Sequence, residues 1–284
     1  MKAIKVLMFF LFMNFSEAKD YLCYVPGAAG LSDFMKVNIG PALKKRGIPF
    51  VAFDGGKWGS VEERAERIHN DFAELLLKDK TAECHLFGYS MGGVIIRYAG
   101  NYLDFQNRIK TMSSFCSPHH GTPAANLLND FPDFLMSGLE DLSLQNIKRF
   151  NDPKSNEYSP VIRDIPFYSY RNFVADDKEV PDAIQRISYG LITGYYWALF
   201  RFSWAMNDGL VPTRSMEFGE LLDARHLYQY GLKKSRQIVD EGSYIEKHER
   251  PGDFHYPHEF YSQDLHMDIS PVDVFEAHYK FVSR

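Results

Sequence analysis

The first half of the chain alternates short apolar runs with longer stretches in which apolar residues recur at helical spacing. The apolar runs predict four buried strands, at residues 21–25, 49–53, 84–87 and 109–116. The stretches between them predict helices at residues 34–43, 60–76 and 94–103, the second of which starts with a capping box of Ser60 and Glu63. Strands that alternate with helices of this length predict an α/β fold with a mostly parallel sheet and helices on both faces.

The pattern changes after residue 121. Residues 124–200 lack clear strand–helix units, and we predict that they form a lid or cap inserted into a single domain. Apolar residues are dense between Leu127 and Leu142, which is typical of an amphipathic flap over a cleft. The almost uncharged stretch 189–206 predicts a buried helix that runs into a strand, or alternatively an apolar wall of a ligand cleft. Residues 271–282 predict a final helix capped by Ser270.

The N-terminus has the features of an export signal. A basic start at Lys2 and Lys5 precedes an apolar run of about ten residues, which is too short to span a bilayer. Small residues at Ser16 and Ala18 predict cleavage after Ala18, so residues 1–18 are a signal peptide and residues 19–284 a single exported domain, secreted or periplasmic. An uncleaved anchor or a buried first strand is the alternative.

Export would permit disulfides, but the chain has only three cysteines. Cys23, Cys84 and Cys116 each lie in an apolar run, so we predict that all three are buried free thiols. One disulfide with a third, unpaired thiol is the alternative.

Composition excludes several classes of protein. Apolar residues make up 45% and charged residues 24% of the 284 residues, as in a folded globular protein. The net charge of −5 makes a nucleic-acid partner unexpected. The aromatic fraction of 15% fits either an apolar ligand or an aromatic core.

Residues 88–92 match the pattern G-x-S-x-G, and the predicted elements on either side make the match more specific. A predicted strand runs directly into the motif, and a predicted helix follows it. Such a strand–turn–helix is a nucleophile elbow, which presents its serine on a strained turn. Ser90 is therefore the predicted nucleophile. The alternative is a structural turn between strand and helix in which the serine has no catalytic role.

An activated serine needs an acid and a histidine, which follow it in that order in hydrolases with this elbow. Asp208 lies in an Asn-Asp-Gly turn after an aromatic run and is the predicted acid. Its rivals are Asp182 and Asp223.

The predicted base is His266, because it lies in a loop that enters the final helix and can reach the serine from there. His255 and His258, in an aromatic loop, are its competitors. His278 lies inside the helix and is expected to face solvent or core.

The oxyanion formed during acyl transfer requires backbone N–H donors. We predict the N–H groups of Met91, directly after the nucleophile, and Ala28, in the small-residue loop after the first strand. That loop lacks the Lys-Ser/Thr ending of a phosphate-binding loop.

Together these segments resemble the bacterial family I true lipases, which are secreted α/β-hydrolases that cleave triacylglycerols. The resemblance covers most of the chain and rests chiefly on residues 25–28, 88–93, 117–123, 207–211 and the His266-x-Asp268 pair. It implies an α/β-hydrolase fold and supports Asp208 and His266 over their rivals. It also implies that His119 and His120 are structural.

The resemblance is incomplete at the family's calcium site and disulfide. Asp268 matches one calcium ligand, but Val272 stands where the family has a glutamine, and the chain has no cysteine after Cys116. The chemistry requires no cofactor, and a structural calcium stays open. Some members of the family need a lipase foldase, so that partner also stays open.

The sequence therefore predicts a secreted serine ester hydrolase, foremost a triacylglycerol lipase that acts on lipid esters at an oil–water or membrane interface. A phospholipase or thioesterase on the same scaffold is the nearest alternative. A non-catalytic binding protein that kept the fold is a more distant one.

Overall fold

The computed structural model describes residues 18–28, 32–128, 138–160, 164–173, 183–199, 207–235, 238, 253–255 and 270–284. The predicted signal peptide, the centre of the predicted lid and the loop that carries His266 lie outside these residues. Among the described helices, none combines the length and the apolar character that crossing a bilayer requires.

A six-stranded parallel sheet forms the centre of the fold. Its strands run in the order β2-β1-β3-β4-β5-β7, and every neighbouring pair is parallel. The strands are β1 (Lys19–Val25), β2 (Phe50–Ala52), β3 (Ala82–Tyr89), β4 (Ile109–Phe115), β5 (Phe167–Tyr170) and β7 (Glu220–Leu221). Two short strands, β6 (Asn172–Phe173) and β8 (Phe254–His255), pair separately. The mostly parallel sheet and its first four strands were predicted and are confirmed.

Helices connect the strands and surround the sheet. The described α-helices are α1 (Ser32–Phe34), α2 (Gly40–Lys45), α3 (Val61–Lys78), α4 (Met91–Tyr102), α5 (Pro123–Leu128), α6 (Leu144–Asn151), α7 (Ala183–Ala198) and α8 (Pro271–Val282). A π-helical turn, Met35–Ile39, joins α1 to α2. Shorter 3₁₀ turns cover Leu139–Leu142, Thr213–Met216 and Ala224–Tyr230.

Two helix starts confirm cap predictions made from the sequence. Ser60 and Glu63 form the expected capping box at the start of α3, where the Glu63 carboxylate accepts from Ser60 N–H and the Ser60 hydroxyl accepts from Glu63 N–H. The Ser270 hydroxyl accepts from Asp273 N–H at the start of α8.

Alternating side chains of the strands supply two separate cores. In β1, Leu22 and Tyr24 face a core that includes α2 and α8. Cys23 and Val25 face the opposite core, which α3 and α4 cover. Because parallel strands all point the same way, the segments that follow β1, β3 and β4 reach one edge of the sheet.

The prediction that all three cysteines are free thiols is wrong. Cys23 and Cys84 lie on the neighbouring strands β1 and β3, with side chains on the same face and Cα atoms 5.8 Å apart. They form a disulfide, and Cys116 stays a buried free thiol. Each cysteine has an ordinary apolar strand context, so the sequence pattern did not show which strands would be adjacent.

Helix α7 corrects the prediction of a buried helix in the stretch after residue 189. It begins earlier, at Ala183, and one of its faces packs Ile192 and Tyr196 beside Ala124. Its other face leaves large apolar side chains exposed, namely Ile187, Leu191, Tyr195 and Trp197. Apolar residues occur all around this helix, so their spacing could not show which face is covered. The predicted strand after it lies outside the described residues.

The predicted insertion at 124–200 also includes part of the central sheet. Strand β5 pairs with β4 in parallel, from Met112 with Phe167 to Phe115 with Tyr170. Residues 167–170 therefore belong to the sheet rather than to a cap over it. The ends of the predicted flap are described as α5 and the turn Leu139–Leu142.

The disulfide gives a stability prediction. Closing a loop with a sequence separation of 61 residues is expected to stabilise the fold by about 4 kcal/mol through the unfolded state. Reductant should therefore lower the free energy of unfolding of the wild type by about 2–4 kcal/mol, measured by urea denaturation.

The variant Cys23→Ala/Cys84→Ala is the matched control, because reductant has no disulfide to break in it. Its unfolding curve should be the same with and without reductant. Equal stability of the wild type in both conditions, or three titratable thiols in the unreduced denatured protein, would contradict the assignment.

Candidate active site

Ser90 lies on a sharp turn between β3 and α4. Its backbone has φ +53° and ψ −126°, a conformation that non-glycine residues rarely adopt. Ser90 N–H donates to Phe115 O at 2.9 Å, which attaches the turn to the end of β4. The strained serine between a strand and a helix is the geometry expected of a nucleophile elbow.

Two glycines of the motif allow the backbone to come this close. A Cβ atom on Gly92 would lie 2.3 Å from Val25 O, at the end of β1. A Cβ atom on Gly88 would lie 2.5 Å from Gly92 O. Both contacts are with backbone atoms, and moving these would cost free energy because it would distort the strand or the helix. The glycines flanking Ser90 are therefore required by packing between β1, β3 and α4.

The loop after β1 approaches the same serine. A Cβ atom on Gly27 would lie 2.8 Å from Ser90 Cβ and 3.4 Å from Ser90 Oγ. Ala28 follows Gly27, and Met91 follows Ser90. Each of the two predicted oxyanion donors therefore directly follows one of the two residues that make this close contact.

Asp208 is fully buried in a tight loop. Its Oδ1 atom accepts hydrogen bonds from Leu210 N–H at 3.0 Å and Val211 N–H at 2.8 Å. The loop turns at Gly209, which has φ +103°, and is closed by an antiparallel bridge between Asn207 and Pro212. These contacts hold the carboxylate in one orientation, as an orienting acid requires.

The Asp208 loop is attached to the segment that follows β4, where the Thr122 hydroxyl donates to Leu210 O at 2.5 Å. Burial raises the pKa of the Cys116 thiol well above its usual value, and the negative charge of Asp208 raises it further. Burial likewise raises the pKa of Tyr89, the residue before Ser90, with Asp208 again among the contributing charges. The Cys116 thiol is thus held in its protonated, poorly nucleophilic form.

The predicted base, His266, lies outside the described residues, as do His258, the side chain of His255 and the rival acid Asp182. Among the described site residues, Ser90, Met91 and the loop that carries Ala28 lie together at the elbow, and Asp208 lies in a loop bonded to the segment after β4. The position of the histidine remains a prediction.

The described rival acid, Asp223, and the histidines His278 and His119 have structural contacts instead. Asp223 caps a 3₁₀ turn and pairs with Arg225. His278 is buried in α8, where its Nδ1 atom lies 2.8 Å from Tyr170 Oη, and burial lowers its pKa to about 3. His119 is also buried, with Nε2 2.9 Å from Ser114 Oγ, and burial holds its pKa well below the usual range.

No described group of three or more His, Cys, Asp or Glu side chains is arranged to hold a metal ion. Asp268, the residue that suggested calcium, lies outside the described part of the chain, so calcium remains an open expectation.

Sequence reasoning missed Arg64, which is buried in the first turn of α3 and donates to the carbonyl oxygens of Pro26 and Gly27. The sequence offered one signal: Arg64 is a cation near a helix N-terminus, where anions such as Glu62 and Glu63 are favoured.

Comparisons with known proteins agree with this fold. No family model matches the chain, and no curated protein matches its sequence. A metagenomic carboxyl esterase is 18% identical, with TM-score 0.63 over 94% of this chain and 76% of its own. The mature lipase of Bacillus licheniformis is 17% identical, with TM-score 0.56 over 72% and 83%. EstA from Clostridium botulinum is 12% identical, with TM-score 0.54 over 96% and 89%. The chain has the α/β-hydrolase fold.

The elbow geometry predicts a sharp contrast between two glycine substitutions. Gly92→Ala should lower the free energy of unfolding by about 3 kcal/mol or more, because its Cβ atom would collide with the backbone of β1. Gly190→Ala, in α7, should raise it by about 0.5–1 kcal/mol, since nothing lies within 4 Å of its Cβ position. Urea denaturation of both variants measures the difference, and equal effects would refute the close approach.

Proposed function

We propose that the chain is a serine hydrolase of carboxylic esters and that Ser90 is its nucleophile. The observation that carries the proposal is the strained Ser90 turn, with φ +53°, at the same sheet edge as the buried and doubly hydrogen-bonded Asp208 carboxylate. An ordinary βα turn requires neither the strain nor a buried acid nearby.

In the proposed reaction, Ser90 Oγ attacks the acyl carbonyl carbon while His266 takes the hydroxyl proton. The tetrahedral intermediate then collapses, and His266 returns the proton to the leaving alcohol. Water attacks the resulting acyl-enzyme with His266 again acting as base, which releases the acid and restores Ser90. No cofactor takes part in these steps.

Asp208 would orient the imidazole and stabilise its protonated form. Its Oδ1 atom accepts two backbone hydrogen bonds, so the carboxylate is fixed before substrate binds. Ala28 N–H and Met91 N–H would bind the oxyanion of the tetrahedral intermediate. Gly27 and Ser90, the residues before these two donors, are already in contact range of each other.

The finer proposal is a triacylglycerol lipase that works on an apolar lipid substrate. Near the Asp208 loop, Ala124, Ile192 and Tyr196 pack with Leu210 in an apolar cluster. The outward face of α7 continues this apolar character to the surface. Both features support a substrate with long acyl chains, and the similar solved proteins include one named as a lipase and one as a carboxyl esterase.

Export is part of the proposal. The Cys23–Cys84 disulfide supports it, because such bonds persist in oxidising compartments and are rare in reducing ones.

The mechanism predicts the effect of removing the nucleophile or the base. Ser90→Ala and His266→Ala should each lower kcat for a soluble ester by about 10⁴-fold or more, because both act in the same chemical step. A fluorophosphonate probe should label Ser90 in the wild type and fail to label Ser90→Ala, as read by peptide mass spectrometry.

The matched control is His226→Ala, which replaces an exposed histidine of the same half of the chain. It should keep wild-type turnover and labelling. Full activity of Ser90→Ala would end the proposed mechanism, whereas full activity of His266→Ala would transfer the role of base to another histidine.

The lipase proposal is tested by a substrate profile of the purified protein. The value of kcat/KM should be highest for acylglycerols with long chains, since each methylene buried against apolar surface lowers the free energy of the complex. Phospholipids and acyl thioesters of matched chain length are the comparison substrates. A clear preference for either would replace the lipase proposal with a phospholipase or a thioesterase.

A further inference from the structure

Among the described residues, the buried cation Arg64 has no carboxylate as a hydrogen-bond partner. It lies in the first turn of α3, and only 1% of its surface is exposed. The buried Arg171, in contrast, pairs with Asp253 and Glu217. Arg64 directs its guanidinium towards the loop after β1 instead.

Within the described residues, Arg64 donates hydrogen bonds to Met91 of the elbow and to the loops that follow β1 and β2. Its Nη2 atom donates to Gly27 O at 2.7 Å and to Pro26 O at 3.1 Å. Its Nη1 atom donates to Met91 Sδ at 3.2 Å, and its Nε atom to Gly55 O at 3.1 Å. One side chain thus contacts the loop that leads to Ala28 and also contacts Met91 itself.

The bond to Gly27 O acts directly on the predicted oxyanion donor. Gly27 C=O and Ala28 N–H belong to the same peptide unit, and the described chain contains no cis peptide bond. In a trans peptide these two groups point in opposite directions, so holding the oxygen fixes the direction of the N–H. A charged donor at the oxygen also polarises the amide and makes its N–H a stronger donor.

The position of Arg64 is unfavourable for folding alone. Burial lowers its pKa to about 10, so the group stays charged at neutral pH while it is removed from water. It also lies at a helix N-terminus, where the macrodipole disfavours a cation. An apolar side chain would fill this space without either cost.

We propose that Arg64 is a positioning residue for the oxyanion hole, which orients and polarises the Gly27–Ala28 peptide and holds the side chain of Met91. This inference rests on the proposed function. It assigns to Arg64 no contact with the substrate. Its effect should appear only when negative charge develops on the substrate oxygen, and therefore in kcat rather than in KM.

The test compares Arg64→Lys and Arg64→Met with Arg97→Met. Arg97 is a matched control because it is equally buried and donates to Phe150 O, Asn151 Oδ1 and His119 O, none of which belongs to the loop after β1 or to Met91. Active sites are counted by fluorophosphonate titration, so that kcat refers to competent enzyme. Binding of an alkylboronic acid, which forms a tetrahedral adduct with the serine, is measured in parallel.

Arg64→Met should lower kcat by about 10²-fold, in the range for losing one oxyanion donor, with KM changed less than about threefold. Its affinity for the boronic acid should fall with kcat. Arg64→Lys keeps the charge but not the fork of donors, so its kcat should lie between those of Arg64→Met and the wild type. Arg97→Met should be less stable than the wild type but keep its kcat.

The pH profile gives a second readout. A buried ammonium loses its proton at a lower pH than a buried guanidinium, because its ordinary pKa is lower. The alkaline limb of kcat should therefore move to lower pH in Arg64→Lys. A role in packing alone would leave that limb in place.

Two results would overturn the inference. One is wild-type kcat in Arg64→Lys together with an unshifted alkaline limb, and this variant decides the matter even where Arg64→Met does not fold. The other is an equal loss of kcat in Arg64→Met and Arg97→Met. If the Ser90→Ala variant still hydrolyses esters, the proposed function fails first, and the two failures are thereby distinguished.

Discussion

Three backbone segments meet around Ser90 with no room for a side chain between them, and the rest of the site depends on that contact. The end of β1 lies against Gly92, Gly88 near the end of β3 also lies against Gly92, and Gly27 lies against Ser90 itself. The parallel sheet makes the contact possible because it brings these chain ends to one edge. The strained serine is held there by its backbone hydrogen bond to Phe115 O and by the close contact with Gly27.

Buried polar groups at this edge are satisfied mainly by backbone atoms. Asp208 accepts from two N–H groups of its own loop, and Arg64 donates to three carbonyl oxygens around the loop after β1. Fixed dipoles of this kind need little reorganisation when charge moves during a reaction. The same arrangement is costly for folding, which a large double core and the Cys23–Cys84 disulfide offset.

The sequence predicted those features whose signals are local. Strand–helix alternation predicted the sheet, the Ser60 and Ser270 caps predicted two helix starts, and the motif around Ser90 predicted the elbow. Features that depend on which segments become neighbours were missed. The disulfide required β1 to lie beside β3, and the exposed face of α7 depended on what packs against it. The burial of Arg64 likewise follows from tertiary packing, since its local sequence is an ordinary charged helix start.

An experimental structure of the protein phosphonylated at the nucleophile tests the central claim most directly, because the adduct mimics the tetrahedral intermediate. The account predicts phosphorus on Ser90 Oγ and one phosphonyl oxygen about 2.7–3.1 Å from both Ala28 N and Met91 N. It also predicts the His266 imidazole between Ser90 and Asp208. A phosphonyl oxygen that points to solvent, with neither amide within hydrogen-bond distance, would contradict it.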